Sequence, residues 1–201
     1  MILRPWVVIL AAGGSRRFGG PKLLARIGGE TLLRRAVRAA LGCSPAGCVV
    51  VLGARAALLR RELRGYPVRV VENPRWRSGM AGSLRAGIAA LPGEAVAAIV
   101  LLADQAAIGP AELELLVAAW RRRPRSVVAS RSGDVVGPPA IFPRSAFADL
   151  RRLRGGSGAR TLLRDPRRPA IGIEMRDAAQ DIDRRGDLTR AARKRTRWRR
   201  G

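Results

Sequence analysis

Short apolar runs and amphipathic stretches follow one another along this chain with little interruption. Residues 7–11 form an unbroken apolar run rich in β-branched side chains, the pattern of a buried strand. Residues 31–41 then place Leu32, Leu33, Ala36, Val37 and Ala40 on one helical face, behind a capping residue, Thr31. The pairing recurs. A strand at 48–52 precedes a helix at 56–64, and a strand at 68–71 precedes a helix at 80–91. A strand at 96–103, apolar throughout as a strand covered on both faces should be, precedes a helix at 110–121 that opens on Pro110. Strands near 126–130 and 139–142, helices near 144–153 and 158–164, a strand at 170–175 and a helix at 185–193 complete the series.

Strand–helix alternation with connections of this length predicts an α/β fold. The expected form is a doubly wound, mostly parallel sheet flanked by helices, with right-handed crossovers. Such sheets bind ligands beyond the carboxyl ends of their strands, near the point where strand order reverses. That rule selects the loops after Ala11, Val71 and Ala103. With 201 residues, 47% of them apolar and spread along the length, the chain can build one continuous core. A single domain over 1–190 is expected, followed by a basic, disordered tail over 191–201.

Composition narrows the function. No apolar run reaches the ~18 residues of a membrane helix, and the chain leads directly into its first strand. Neither a membrane segment nor a signal peptide is expected, and the protein is read as cytoplasmic. Cys43 and Cys48 are too few for a structural zinc site and are read as reduced thiols, Cys48 buried at a strand start. The net charge of +24, from 39 Lys and Arg against 15 Asp and Glu, raises nucleic acid as a partner. Two features count against it. Only Lys22 and Lys194 are lysine, the mark of a general bias toward Arg, and Arg34, Arg35 and Arg38 lie on a helix face rather than in a stripe interleaved with aromatics. The dense basic cluster at 193–200 is read as a solvated end. The chain has no histidine, which excludes Ser-His-Asp hydrolysis, Cys-His proteolysis, HExxH metalloproteases and His-ligated metals. Carboxylates, Lys, Arg, hydroxyls, backbone amides and a hard metal ion remain.

The first selected loop is Leu10-Ala11-Ala12-Gly13-Gly14-Ser15-Arg16-Arg17-Phe18-Gly19-Gly20-Pro21-Lys22. Glycines after a strand let backbone N–H groups approach a phosphate chain. The loop is neither a P-loop nor a dinucleotide fingerprint, since it has neither Gly-Lys-Ser/Thr nor G-x-G-x-x-G. It does offer Arg17 and Lys22, two cations able to neutralise triphosphate oxygens. Asp104, at the end of the apolar run 96–103, is a costly place for a charge unless a cation meets it.

The loop resembles the L-A-A-G-x-S-x-R-x-G-x-x-K signature of the molybdenum-cofactor cytidylyltransferase family, within the GT-A-like nucleotidyltransferases. The likeness continues in order. Asn73-Pro74-Arg75-Trp76-Arg77-Ser78-Gly79-Met80-Ala81-Gly82-Ser83-Leu84 is similar to N-P-x-W-x-x-G-M-x-x-S-L, and Leu101-Leu102-Ala103-Asp104-Gln105 to L-L-x-D-Q/M-P. Residues 155–160 resemble G-D-x-G-A-R, and Asp181-Ile182-Asp183 with Asp187-Leu188 resembles D-I-D-T-P-E-D-L. The resemblance implies a Rossmann-like, GT-A-type fold and transfer of CMP from CTP to a phosphorylated, molybdopterin-type acceptor with Mg²⁺. An acceptor molybdoenzyme or its chaperone is the implied protein partner. Carried over by residue, Leu10, Ala11, Ala12, Gly13, Gly14, Ser15, Arg17 and Lys22 would form the triphosphate loop. Asn73, Gly79 and Ser83 would serve the nucleoside, with Gly79 and Ser83 against the base. Asp104 and Asp183 would hold the metal, and Lys22, Arg17 and Asp104 would carry catalysis.

The departures fall mainly in the second half. Ala106 replaces proline after Asp104-Gln105, Pro138 stands where the family often has histidine, Gly156 replaces an acid, and Arg184-Arg185 replace Thr-Pro. The nucleotide half is intact, so CTP is better supported than the acceptor. Ala12 favours cytosine, because guanylyl relatives carry glycine there. Two alternatives stay open: guanylyl or other nucleotidyl transfer to a different phosphorylated metabolite, and a non-catalytic nucleic-acid-binding protein of the same fold.

Overall fold

In the computed structural model the strands are β1 (Trp6–Ala11), β2 (Arg26–Ile27), β3 (Glu30–Thr31), β4 (Gly47–Leu52), β5 (Arg69–Glu72), β6 (Ala97–Leu102), β7 (Val128–Ser132), β8 (Val135–Pro143) and β9 (Ile171–Glu174). The helices are α1 (Leu32–Gly42), α2 (Ala56–Glu62), α3 (Met80–Ala89), α4 (Pro110–Arg122), α5 (Phe147–Arg152), α6 (Arg160–Leu163) and α7 (Arg185–Trp198). The structure describes residues 2–156, 158–175, 178 and 181–198, with side chains described as far as Ala191.

Seven strands form one sheet in the order β5–β4–β1–β6–β8–β7–β9, and β2 pairs with β3 in a small separate hairpin. β1 is parallel to β4 and β6, β4 to β5, and β7 to β9. β8 runs antiparallel to both its neighbours, β6 and β7. From β1 the chain steps outward through β4 to β5, then returns to the other side of β1 as β6. The strand order therefore reverses between β1 and β6, the position where a doubly wound sheet opens a crevice. The expected α/β architecture is present.

Alternation along the central strands builds two cores. Val7, Ile9 and Ala11 of β1 and Ile99 and Leu101 of β6 face one layer, with Leu33 and Val37 of α1, Leu59 of α2 and Leu113, Leu116 and Trp120 of α4. Val8 and Leu10, with Ala98 and Val100, face the other, against Leu84 and Ile88 of α3, Leu150 of α5 and Leu163 of α6. Burying a Leu or Ile fully is worth about 1.5–3 kcal/mol, so both faces of these strands hold the sheet in register. α3 lies unusually close to β1: a Cβ added at Gly87 would fall 2.3 Å from Cγ1 of Val8. The helix ends are marked as the residues suggest. Thr31 accepts the Arg34 N–H at 3.3 Å at the start of α1, and Glu112 accepts the Gly109 N–H at 2.8 Å beside Pro110.

In the first half the β2–β3 hairpin is an addition to the expected series, and the other main differences lie in the second half. β8 begins at Val135, well before the expected 139, and so carries Pro138 as well as Pro139, neither of which can donate to a ladder. Ser130 compensates, its hydroxyl lying 2.9 Å from the carbonyls of both Gly137 and Pro138 where the β7–β8 register shifts. The helix expected at 158–164 is reduced to α6, because Gly158 has a left-handed φ of +55°. α7 runs on to Trp198, beyond the expected end near 193; the rest of the expected disordered tail, 199–201, lies outside the described residues. Cys43 and Cys48 are both free and buried, and burial pushes their thiols up, to about 11 and about 12. Among the described residues no helix is long and apolar enough to cross a membrane.

Candidate functional site

β1 and β6, the two strands at the reversal, each end in a loop that reaches the crevice. After Ala11 the chain leaves the sheet, and among the described residues the N–H groups of Gly13, Gly14 and Ser15 take no backbone acceptor. Ser15 is held in the left-handed region at φ 54°, and Gly13 faces open space. Consecutive unpaired N–H groups beyond a strand are a cradle for an anion. Trp76, in the turn before α3, props the loop. A Cβ on Gly14 would fall 2.8 Å from Cζ3 of this indole, and one on Gly53 would fall 2.6 Å from its Cβ. The Leu10 carbonyl accepts the Ala103 N–H and the Ala12 carbonyl the Ala54 N–H, both at 3.1 Å. Leu10, Ala11 and Ala12 are thus the floor of the crevice, and Gly13, Gly14 and Ser15 its reachable wall.

The charged residues converge above that floor. The Lys22 ammonium lies 2.5 Å from Oδ2 of Asp104 and 3.5 Å from Oδ1 of Asp183, and the Arg17 guanidinium lies 2.9 Å from Oδ2 of Asp183. Lys22 is only 9% exposed, and an ammonium so placed requires carboxylate partners. The segment carrying Asp183 is tied down by the Ile182 N–H, which donates to the Asp104 carbonyl at 3.2 Å. All four residues expected to carry charge chemistry therefore meet at one point.

Two further carboxylates shape this corner. Asp187 accepts the N–H groups of Arg184 at 2.7 Å and Asp183 at 2.9 Å and pairs with Arg190. The Arg184 amide first, then Arg190 and the Asp183 amide, hold its carboxyl down at about 2. Asp181 is pushed up to about 6, by burial first and by the Asp104 charge second, while Lys22 pulls the other way. Asp104 and Asp183 offer oxygen donors to one cation position. That donor set suits Mg²⁺, which binds through one or two carboxylates and fills its shell with water and phosphate oxygens. Among the described residues no group of three or more His, Cys, Asp or Glu forms a self-sufficient metal cage.

The second segment lies beside the first loop. Asn73 donates from Nδ2 to the Ser83 hydroxyl at 3.0 Å and accepts the Arg75 N–H at 3.1 Å, with both side chains buried. Gly79 has φ +110°, and a Cβ there would fall 2.6 Å from the Gly155 carbonyl oxygen. That same carbonyl accepts the Ala81 N–H at 3.2 Å. Gly155, Gly156 and Gly158 are therefore seated on the start of α3, joining two segments about 75 residues apart in the sequence.

Sequence reasoning gave no role to Gln105 or to Trp76. Gln105 is buried and donates from Nε2 to the carbonyls of Pro138 and Ala178, both at 2.7 Å, while Oε1 accepts the Leu102 N–H at 3.3 Å. It pins β8 and the segment leading to Asp183 onto the end of β6. A polar residue directly after an apolar strand was the available signal; its partners, 33 and 73 positions away, leave no local trace. Asp187 had a signal too, an acid in the first turn of a helix.

Residues 7–171 match the MobA-like NTP transferase domain, a span that includes Lys22 and Asp104 and stops before Asp183. The chain is 33% identical over 168 residues to the nicotine blue oxidoreductase of Paenarthrobacter nicotinovorans, covering 78% of this chain and 80% of that protein. It is 31% identical over 191 residues to the purine catabolism protein PucB of Bacillus subtilis (strain 168), covering 88% and 90%. Among solved structures, Rv0371c from Mycobacterium tuberculosis H37Rv in complex with manganese superposes with a TM-score of 0.77 at 27% identity, covering 96% of this chain and all of that one. The chain belongs to the MobA-like NTP transferase domain family.

Proposed function

We propose that the chain is a magnesium-dependent cytidylyltransferase that moves CMP from CTP to a small phosphorylated acceptor of the molybdopterin type, releasing pyrophosphate. The observation that carries this reading is the meeting of Lys22, Arg17, Asp104 and Asp183 beside the unpaired N–H groups of Gly13, Gly14 and Ser15. In this reading those N–H groups hold the triphosphate, and Arg17 and Lys22 neutralise it. An acceptor phosphate oxygen attacks the α-phosphorus, the bond to the β-phosphate bridge breaks, and pyrophosphate leaves with the electron pair. A phosphate monoester is largely ionised near neutral pH, its second pKa being about 6, so no general base is required of a chain without histidine. Mg²⁺ held by Asp104 and Asp183 would supply charge neutralisation at the phosphates. The manganese complex of Rv0371c supports a divalent ion in this family. Ala12 and the intact first loop favour CTP over GTP.

Pyrophosphate release is measured with each of the four NTPs and Mg²⁺, with and without a molybdopterin-type acceptor. Release with CTP that depends on the acceptor is expected. Release with GTP, or only with another phosphorylated acceptor, moves the reading to the guanylyl or general nucleotidyl alternative. The name of the Paenarthrobacter relative raises a redox reading, and no release with any NTP would favour it.

A further inference from the structure

A cleft of about 560 Å³ adjoins the contact between Gly79 and Gly155. Ser78 and Arg85 border it from α3 and the turn before it, Arg151 and Arg152 from the end of α5, and Arg154 and Gly155 from the segment beyond. Among the described residues no carboxylate and no apolar side chain lines it. Some arginines outside it are matched, Arg34 with Glu62 and Arg38 with Glu30, each at 3.0 Å. Here Arg151 and Arg154 have no ion pair among the described residues. Arg152 reaches Asp149 only at 3.9 Å, and Asp149 already holds Arg168 at 3.1 Å. Arg85 is braced against the Leu153 carbonyl, which fixes one wall.

We propose that this cleft binds a compact, phosphate-bearing anion at a site separate from the Lys22–Asp104 centre. Three points carry it. Four arginines line one concavity with no carboxylate among the described lining residues, a local concentration of positive charge. The volume lies within the ~300–1,000 Å³ of small-molecule sites, too confined for a flat macromolecular surface. Planar guanidinium forks match phosphate oxygens in pairs, whereas the lining offers no apolar platform for a base. The cleft is also connected to the nucleotide crevice. Gly155 lines it, while the Gly155 carbonyl holds the Ala81 N–H and packs on Gly79, so an anion seated there would fix the loop beside the crevice.

The test is calorimetric titration of sodium tripolyphosphate at low ionic strength into the wild type, Lys22→Ala and the double variant Arg151→Ala/Arg154→Ala. Binding needs no turnover, so its failure is distinguishable from failure of the nucleotidyltransferase reading. We expect the double variant to weaken one binding event at least ~10-fold. Lys22→Ala should preserve that event, and Arg151→Lys/Arg154→Lys should retain most of it. Both arginines are exposed, and an unchanged circular dichroism spectrum confirms the fold of each variant. Equal binding in wild type and double variant, loss in Lys22→Ala alone, or no binding at millimolar tripolyphosphate overturns the proposal.

Discussion

The ammonium of Lys22 lies 2.5 Å from Oδ2 of Asp104, although 82 positions separate the two residues. Lys22 hangs from the loop that β1 extends and Asp104 stands just past β6, so adjacency of those two strands brings the pair together. The bond does double duty. It gives a nearly inaccessible ammonium a counter-charge, and it fixes that ammonium on the same loop as the unpaired amides where a triphosphate is proposed to lie.

Lys22→Ala should lower NTP turnover about 100-fold, the scale of losing one charge stabiliser placed before the reaction. Steady-state kinetics check this. A rise in KM with unchanged kcat would assign Lys22 to ground-state binding alone.

Asp104→Asn should abolish turnover while keeping the fold, because the amide is near in shape and lacks the charge that holds a hard cation. Asp183→Asn should act in the same direction and more weakly, since Asp183 lies at the more distant 3.5 Å from Lys22. Titration of Mg-CTP into both variants measures the loss of metal-linked binding. Chelation with EDTA should stop turnover of the wild type, and added Mn²⁺ should restore it.

Gln105→Ala should destabilise the protein by about 2 kcal/mol, because the Pro138 and Ala178 carbonyls lose their shared donor. For a domain of this size that is a fall in Tm of about 4–8 °C, read by thermal unfolding. Gln105→Glu should be worse, since a carboxylate would face two carbonyl oxygens.

Much of the fold was legible because β1, β4, β6 and α1 to α4 obey simple periods of apolar residues that neighbouring elements then cover. β8 was misjudged at its start for a physical reason. Pro138 argues against a strand, and its carbonyl is met by the Ser130 hydroxyl and the Gln105 amide, both from other parts of the chain. In the site, Lys22, Arg17, Asp104 and Asp183 were found through ordered motifs, and the sheet joins them. The supporting roles of Gln105 and Trp76 are contacts across the fold, and residue type alone does not encode them.

Gly79→Ala should cost about 1–3 kcal/mol, because φ +110° is strained for any side chain and the new Cβ would press on the Gly155 carbonyl at 2.6 Å. Gly155 and Gly156 must then move. Denaturant unfolding reads the loss, and a raised KM for the nucleotide reads the disturbance of the crevice.

Asp187→Asn should lose stability at neutral pH and little at strongly acid pH. The carboxyl is held at about 2, below its ordinary 3.8, so its contribution is complete above about pH 4 and disappears as pH falls through 2. Melting curves of both proteins from pH 2 to pH 7 should converge at the acid end. Curves that stay parallel over the whole range would mean that the carboxylate charge is not what matters.

The antiparallel course of β8 separates two tasks that the sheet could have fused. Because β8 opposes β6, its first residues rather than its last stand at the edge that carries Asp104: Ala140 pairs with Val100, and the Pro138 carbonyl meets Gln105. The turn between β7 and β8, with Val135 half exposed, therefore lies at the same edge of the sheet as the loop after β1, with β6 between them. It shares no backbone with the Gly13–Ser15 cradle. Its tip can be lengthened or rewritten without moving an amide of that cradle, so a descendant of this chain can acquire a new partner for its nucleotide while the machinery for handling phosphates is inherited unchanged.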